Sequence, residues 1–587
     1  MNNDHLQNIR HSAAHLLAAA VLELYPGTKL TIGPAIENGF YYDFDFPSAS
    51  SGQVPSENDF PQIEAKMTEL LKSWDGFSSR EVSEEEAKEF YKDNEYKKEL
   101  INEIIKKGEK ITFYKAGAFE DLCRGGHSEH PKKDIGAFKL LSVAGAYWRG
   151  DEKNKMLTRI YATAFPTKEE LAIHIEMLEA AKRRDHKKLG KELDLFYFSE
   201  TVGKGLPLLT AKGSVIRREL ERFIVDEELK RGYQHVYTPD LASLELYKKS
   251  GHYPYYKDSM YAPITIDDEQ FMLRPMSCPH HFELYLRKPH SYRELPIRTA
   301  ELAKLYRYEQ SGELAGLQRV RAFTLADAHI IARQDQAEAE VNGVLDLIEY
   351  IADAFHLKPG ENYHYRLSLG DRADEKKYFK DDDSWDKAEN VLRNVLSSRK
   401  SPFVEAEGEA AFYGPKIDIQ MKNVNGKEDT AFTVQYDFVM PKRFKLAFTT
   451  EKGDEEQPIV IHRSSIGAIE RVMAFLIEHY AGAFPTWLSP VQITLLPIAD
   501  RHHEFTEKIK KQLQDMHIRV ETDTRSERLQ AKIRDATLQK VPFMGIIGDK
   551  EIANESISVR KRNGEDLGSL VLSSLFERLK EDIDKKI

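Results

Sequence analysis

Residues 305–329 read LYRYEQSGELAGLQRVRAFTLADAH, and no other stretch constrains the fold as strongly. Two short alternating runs flank a loop rich in Gly and Ser. That is the pattern of an antiparallel hairpin with a long connection. Side chains on a strand alternate with period two, so Arg307 and Glu309 are expected on one face, as are Arg319, Arg321 and Phe323. Burying guanidiniums, a carboxylate and an aromatic ring together without partners is costly. The set makes sense as one wall of a site. Guanidinium forks match carboxylate and phosphate oxygens, a ring can stack on a base, and a carboxylate can accept from an exocyclic amine. The expected ligand is anionic and aromatic, a nucleotide together with an acid. A solvated charged hairpin would carry the same local pattern.

The bulk properties narrow the field. A chain of 587 residues has room for about three to five domains. Its 41% hydrophobic and 31% charged residues describe a globular chain with ample core. No apolar run reaches the roughly 18 residues that a membrane span needs, so none is expected. The N-terminus, MNNDHLQNIRHS, lacks the charged-then-apolar order of a signal peptide. Two cysteines, Cys123 and Cys278, exclude a disulfide framework and make a reducing cytoplasm the expected location. The net charge of −11, from 85 basic and 96 acidic residues, is no nucleic-acid signature, and it leaves local basic surfaces open.

Four segments are expected. Residues 1–165 open with an amphipathic helix, about 6–24, and continue through strand, turn and lysine-rich helical sequence; residues 47–59 (PSASSGQVPSEND) are expected as a loop. Residues 166–192 read as one solvated linker helix reaching about Leu189, begun by Thr167 and Glu170 at capping-box spacing. Residues 193–487 contain helices at about 212–232 and 467–481 and strands without regular βα alternation, which predicts a mostly antiparallel sheet. Neither G-x-x-x-x-G-K-S/T nor G-x-G-x-x-G occurs, so a nucleotide would be held by side chains. Residues 488–587 alternate strand and helix as a small α/β domain. The fold class is α+β, multidomain.

Three segments together resemble the signature motifs of class II aminoacyl-tRNA synthetases. These are the helix and Pro-terminated strand around Pro239, the hairpin carrying Arg307, and GAIER with Arg471 entering a helix. The segments RPMSCPHH, SYRELPIR, SGELAGLQRVRAFTLADAH, EGEAAFYGPKID, TVQYDF and IVIHRSSIGAIER are similar to the threonyl-tRNA synthetase family; HSAAH, IGPAIENGFYYD and LCRGGH resemble its editing domain. The match runs along nearly the whole chain in the family's order. It implies an antiparallel class II core between an N-terminal α+β editing domain and a C-terminal α/β anticodon-binding domain. The chain is expected to begin at the editing domain, without the family's ubiquitin-like N-terminal domain. The implied activity is ATP-dependent attachment of L-threonine to tRNA(Thr), by a homodimer in the cytoplasm without membrane contact. A prolyl- or seryl-type synthetase is disfavoured by Cys278, His329, His462 and the editing domain. A non-catalytic RNA-binding relative is disfavoured because Arg307, Arg319 and Arg471 are all present.

The resemblance also implies roles. Cys278, His329 and His462, which spacing alone would never join, are implied ligands of one zinc ion. A Cys-His-His set leaves zinc a position open for substrate. Threonine could ligate through amine and hydroxyl, with Asp327 accepting the hydroxyl proton, whereas valine lacks the second donor. Arg307 is expected to clamp the threonine carboxylate and the α-phosphate. Arg319 and Arg471 are expected on the ATP phosphates, Phe323 and Arg471 around the adenine, and Glu309 on its amine, with Mg²⁺ accompanying ATP. Tyr413, Lys416 and Gln435 are expected to line the threonine and ribose side, and His252 to assist transfer to tRNA. Ser277, Leu325 and Thr430 depart from residues common in the family and leave the ligand and arginine positions themselves intact.

Serine keeps the zinc-binding hydroxyl, and one methylene-sized group gives only about 1–3 kcal/mol of discrimination, so a second, hydrolytic site is expected. His11 and His15, at i,i+4 on one helix face, together with Cys123 and His127 across a Gly-Gly turn, are the candidates; Tyr42, Lys97 and Asp121 match further editing positions. The resemblance implies a water-positioning set; a metal site is the alternative, because H-x3-H and C-x3-H are ligand spacings. Glu551 and Arg560 match anticodon-reading positions, where unstacked bases need bidentate side chains.

Overall fold

The computed structural model describes residues 3–47, 54–424 and 426–587; residues 48–53 of the expected loop lie outside them. The chain forms two compact units, Met1–Glu179 and Ala180–Ile587.

In the first unit, the helix Asn3–Leu24 lies against an antiparallel sheet whose main strands are Gly39–Asp45, Met156–Phe165 and Ala137–Tyr147. Every residue from Ile9 to Val21 except His11 is buried. The apolar surface therefore extends well beyond one stripe, and the amphipathic reading of this helix is corrected. The run of Ala and Leu makes this feasible, because small side chains let the helix sink into its neighbours. The lysine-rich stretch is not continuous helix. It is Phe60–Leu71, Glu84–Phe90 and Glu95–Lys106 with a strand, Ser78–Glu81, between the first two. That strand pairs with Thr112–Ala116, which pairs in turn with Phe119–Leu122.

The linker is also corrected. Thr167 Oγ1 does accept from the Glu170 N–H at 3.1 Å, but the helix Lys168–Arg184 ends before Asp185. Asp185 leaves the helical conformation and its carboxylate caps a second helix, His186–Glu192, by accepting from the N–H groups of Lys187 and Lys188. His186, Leu189 and Gly190 are buried and the lysines between them exposed, so this part is solvated on one side only. An acidic residue competing for backbone N–H groups is a local helix start, and it outweighs the uninterrupted helical composition around it.

The second unit is built on an eight-stranded sheet. Its six central strands run in the order Ile297–Tyr306, Ala322–Ala332, Ile459–Ala468, Glu428–Asp437, Lys416–Lys422, Tyr363–Leu369, all antiparallel. Gln234–His235 adds to one edge and Phe403–Glu407 to the other, both parallel. The mostly antiparallel sheet is as expected. Alternation divides its faces. Ala326, Ala328, Ile330, Ile417, Ile419, Val434 and Ile461 enter the core with the helices Ala211–Lys230, Ala337–Ala354 and Ile469–His479. The residues between them face the other side.

Residues after Ser489 form a five-stranded sheet, Val520–Thr522, Ile493–Pro497, Phe543–Ile547, Ser556–Lys561, Asp566–Val571. The first three are parallel and the last two antiparallel. The strand Asp566–Val571 and the short helix Asp549–Ala553 add to the expected alternation. They are brief and leave little periodic signal.

Candidate active site

Strand register composes the floor of the site. His329 is opposite His462, His462 opposite Gln435, and Gln435 opposite Lys416. One rung along, Asp327 is opposite Ser464, Ser464 opposite Thr433, and Thr433 opposite Asp418. All eight point away from the helical core, because paired residues share a face. Six of them, all but Lys416 and Asp418, form part of the floor beneath a cleft of about 420 Å³ lined also by Cys278, His252, Tyr256, Arg307, Glu309, Arg319 and Tyr413, a size suited to a small ligand.

Cys278 starts the helix Cys278–Leu286 above this floor. One ligand atom from each of Cys278, His329 and His462 lies within 4.8 Å of the others, and all three residues are buried. Burial pushes the Cys278 thiol well above its usual pKa, with the charges of Asp327 and Asp437 acting in the same direction. A cation among these atoms would reverse that balance. Hydrogen bonds decide which imidazole nitrogens are free. His462 Nε2 donates to Asp437 Oδ2 at 2.7 Å, which leaves Nδ1 as the lone-pair atom. His281 Nε2 donates to Glu301 Oε2 at 3.1 Å. Its Nδ1 then accepts from His329 Nδ1 at 2.7 Å, which leaves His329 Nε2 free. The donor set of one sulfur and two oriented imidazoles fits a zinc ion. Asp437, His281 and Glu301 were not among the residues expected; only the long-range pairing reveals them, although His281 stands beside Cys278 in CPHH. Asp327 is held by the Ser277 hydroxyl.

The arginine wall differs from the expected strand face. Pairing ends at Tyr306 and Ala322, so Arg307, Glu309, Arg319 and Arg321 lie in the connection. The Arg307 N–H still donates to the Arg321 carbonyl at 3.0 Å, but the Glu309 N–H folds back on the Arg307 carbonyl at 2.9 Å. That tight turn breaks the alternation. Arg319 turns to Glu309 at 2.8 Å. Arg321 instead stacks over Tyr308, 4.6 Å from its centroid, and donates to the Glu309 carbonyl at 3.0 Å. Arg321 therefore does not share a face with Arg319, correcting that expectation. The Arg307 guanidinium lies 5.3 Å from the Phe323 centroid. Arg471, at the start of Ile469–His479, donates to the carbonyls of Gln318 and Thr430, each at 3.2 Å. Desolvation lowers the pKa of Arg307 and of Arg471; the charge of Arg471 lowers that of Arg307 further, and the charge of Arg319 that of Arg471. Three guanidiniums, of which Arg471 disfavours Arg307 and Arg319 disfavours Arg471, offset only in part by Glu309, Glu313 and Asp429, suit a polyanion.

Elsewhere on the rim, Tyr413 Oη donates to Gln435 Oε1 at 2.5 Å and Lys416 Nζ to Asp418 Oδ2 at 2.5 Å. His252 is 3% exposed. The Ser250 hydroxyl donates to the Tyr247 carbonyl at 3.0 Å, so it accepts from His252 Nδ1 at 2.8 Å. His252 Nε2 is thus a lone-pair nitrogen. Burial lowers the His252 pKa to about 3, helped by the charges of His462, Arg443 and Arg307.

The first unit gathers its own cluster. One ligand atom from each of His11, His15, Cys123 and His127 lies within 4.8 Å of the others. Cys123 Sγ is 3.2 Å from His127 Nε2 and 3.6 Å from His11 Nε2. Gly125 and Gly126, with φ of +98° and +81°, make the turn that allows this. Phe77 stacks on His127 with centroids 3.9 Å apart. Buried Lys97 and Asp121 pair at 2.6 Å, and Tyr42 and Tyr91 both donate to Asp121 at 2.8 Å. Tyr91 was not among the residues expected. Burial pushes Cys123 up to about 11 and His127 down to about 2. A neutral thiol and a neutral imidazole suit either an ordered water or a metal ion, and do not make Cys123 a nucleophile.

In the C-terminal sheet, Glu551 is already engaged. Its carboxylate accepts from the Gly548 N–H at 2.9 Å and from the Ser558 hydroxyl at 2.7 Å. Arg560 stands on the neighbouring strand, half-buried.

Comparison with known proteins gives the chain's relatives. Residues 261–480 match the class II tRNA synthetase core domain (G, H, P, S and T), residues 492–582 an anticodon binding domain, and residues 111–161 the threonyl and alanyl tRNA synthetase second additional domain. The chain is 48% identical over 587 residues to threonine–tRNA ligase of Staphylococcus carnosus, covering 100% of this chain and 89% of the relative. It is 49% identical over 581 residues to that of Geobacillus sp., covering 98% and 89%. The crystal structure of the RNA binding domain of threonyl-tRNA synthetase from Cryptosporidium parvum superposes with a TM-score of 0.64 at 32% identity, covering 68% of this chain and 98% of that one.

Proposed function

The chain belongs to the threonine–tRNA ligases, class II aminoacyl-tRNA synthetases, and from that premise we propose how its residues divide the work. The reaction joins L-threonine to tRNA(Thr) using ATP, and the editing domain clears mischarged tRNA. Arg307 clamps the threonine carboxylate against the α-phosphate. Arg319 and Arg471 hold the remaining phosphates, which travel with Mg²⁺. Phe323, Arg471 and Glu309 take the adenine. Because the chemistry is in-line displacement at phosphorus, positioning and charge neutralisation supply the rate. Tyr413, Lys416 and Gln435 line the threonine and ribose side.

Cys278 Sγ, His329 Nε2 and His462 Nδ1 would hold zinc. When bound, it supplies a Lewis-acid position that distinguishes a β-hydroxy amino acid from its apolar isostere. Asp327, oriented by Ser277, accepts the hydroxyl proton. His252, with Nε2 unprotonated, takes a proton from the tRNA ribose during transfer. His11, His15, Cys123 and His127 edit Ser-tRNA(Thr) above the Lys97–Asp121–Tyr42 network. Glu551 and Arg560 read the anticodon. We divide the chain into residues 1–165 for editing, 166–192 as linker, 193–487 for catalysis and 488–587 for the anticodon. The enzyme works as a homodimer in the cytoplasm. The exposed Tyr237, with 94% of its surface free just beyond the helix Ala211–Lys230, supports a partner there; a monomeric mass by light scattering would oppose it. Among the described residues, no helix is long and apolar enough to cross a membrane.

The observation that carries this reading is the cleft itself, with Arg307 and Arg319 on one wall, Arg471 joined to that wall at the Gln318 carbonyl, and Cys278 above the two oriented histidines of the floor. ATP–pyrophosphate exchange with each amino acid, together with metal analysis, tests it. Threonine should support exchange best and the active protein should contain zinc. Exchange driven better by another amino acid would overturn the reading.

A further inference from the structure

The second linker helix reaches the nucleotide wall through one residue. His186, at the start of His186–Glu192, is 2% exposed. Its Nε2 is 3.1 Å from the backbone N–H of Leu317. A backbone N–H can only donate, so Nε2 carries the lone pair. The proton then resides on Nδ1, which lies 2.7 Å from Glu478 Oε1; the His186 backbone N–H approaches the same oxygen at 3.4 Å. Both ring nitrogens are committed, to Glu478 and to Leu317, so although Asp185, His186 and Glu478 lie at ligand spacing, His186 offers no imidazole to a metal.

Leu317 lies in the tight turn at the foot of the arginine loop. Within this turn the Gln318 N–H donates to the Ala315 carbonyl at 2.9 Å and the Ala315 N–H to the Arg319 carbonyl at 3.2 Å. The next carbonyl after Leu317, that of Gln318, accepts from Arg471 Nε at 3.2 Å. Arg471 and Glu478 stand on the helix Ile469–His479, seven residues apart and so on one face. That helix therefore holds the turn at two consecutive residues, directly through Arg471 and through His186 from Glu478. Gly316 makes the approach possible. Its φ is +52°, and a Cβ there would lie 2.1 Å from His186 Nε2.

We propose that His186 is a positioning residue for ATP: its neutral Nδ1–H tautomer, set by Glu478, anchors the Leu317 N–H and thereby fixes the turn from which Arg319 reaches the phosphates. Without the acceptor, the buried N–H of Leu317 is left unmade and the turn moves to satisfy it. The inference rests on the assignment of Arg319 to ATP.

The test is pyrophosphate exchange with ATP and threonine varied separately, for the wild type and for His186→Ala, His186→Gln and His186→Asn, with Arg319→Ala alongside. Glutamine places an amide oxygen near the former Nε2 and can accept from Leu317. Asparagine places an amide N–H near the former Nδ1 and can serve only Glu478. The alanine and asparagine variants should raise KM for ATP about tenfold, the scale of one buried hydrogen bond lost, with KM for threonine within about twofold. Glutamine should restore most of the loss. Rescue by asparagine and not glutamine, equal rises in both KM values, or no rise in any variant would overturn the proposal. If the alanine variant does not fold, the glutamine–asparagine pair decides alone. An inert Arg319→Ala would break the ATP assignment itself; an active-site effect at Arg319 with inert His186 variants would break only this inference.

Discussion

Asp437 holds His462 in one tautomer: Oδ2 accepts from His462 Nε2 at 2.7 Å, while Oδ1 is pinned by the N–H groups of Val439 and Met440, each at 2.9 Å. The lone pair left on Nδ1 is what a metal would use. Asp437→Asn keeps the shape and removes the charge, and should weaken zinc binding about tenfold or more. Chelator competition followed by metal analysis reads this directly. Unchanged affinity would mean that the carboxylate does not orient the ligand.

Cys278→Ser should lose zinc and threonine activation together, while circular dichroism stays native. The thiol is buried at the start of its helix and is 5% exposed, so a hydroxyl of smaller size fits without strain but is a far weaker ligand for zinc. Threonine-dependent exchange at the wild-type rate in a zinc-free variant would refute the assignment.

Arg307→Ala should slow pyrophosphate exchange about 10²-fold or more, the scale of removing one preorganised donor from a transition state. Arg319 and Arg471 are assigned to the other phosphates and the adenine, so neither replaces Arg307 between the carboxylate and the α-phosphate. Near-normal exchange would remove Arg307 from the mechanism.

His11→Ala and Cys123→Ala should leave threonylation unchanged and slow deacylation of pre-formed Ser-tRNA(Thr). The cluster belongs to Met1–Glu179, a unit separate from the one that holds the synthetic cleft. Equal deacylation by wild type and variants would make these residues structural.

Acid should destabilise the protein from about pH 6.5 downward. Burial lowers His15 well below the ordinary histidine value, His127 to about 2 and His252 to about 3. An unfolded histidine binds its proton near pH 6.5. Between that value and the folded pKa the unfolded chain carries more protons, so stability rises with pH across the window and is complete above it. A melting temperature flat from pH 4 to pH 7 would contradict this.

Much of the fold was written locally. The long helices, the antiparallel core and the α/β ending follow from periodicity, Gly-Pro punctuation and the absence of regular βα alternation. The candidate residues came as motifs, each readable within a few positions. What the tertiary structure decided depends on pairs that local pattern cannot carry. His329 and His462 meet because two strands 133 residues apart in number pair in one register, and a one-residue slip of either strand would have turned its histidine into the core. The free nitrogen of each imidazole is set by Asp437 and by His281 with Glu301, partners chosen only by packing. The departure of Arg307 and Glu309 from the strand face, the break at Asp185 and the seating of His186 under Leu317 have the same origin. In each, hydrogen bonds between distant segments outweigh the weaker preference of the local sequence.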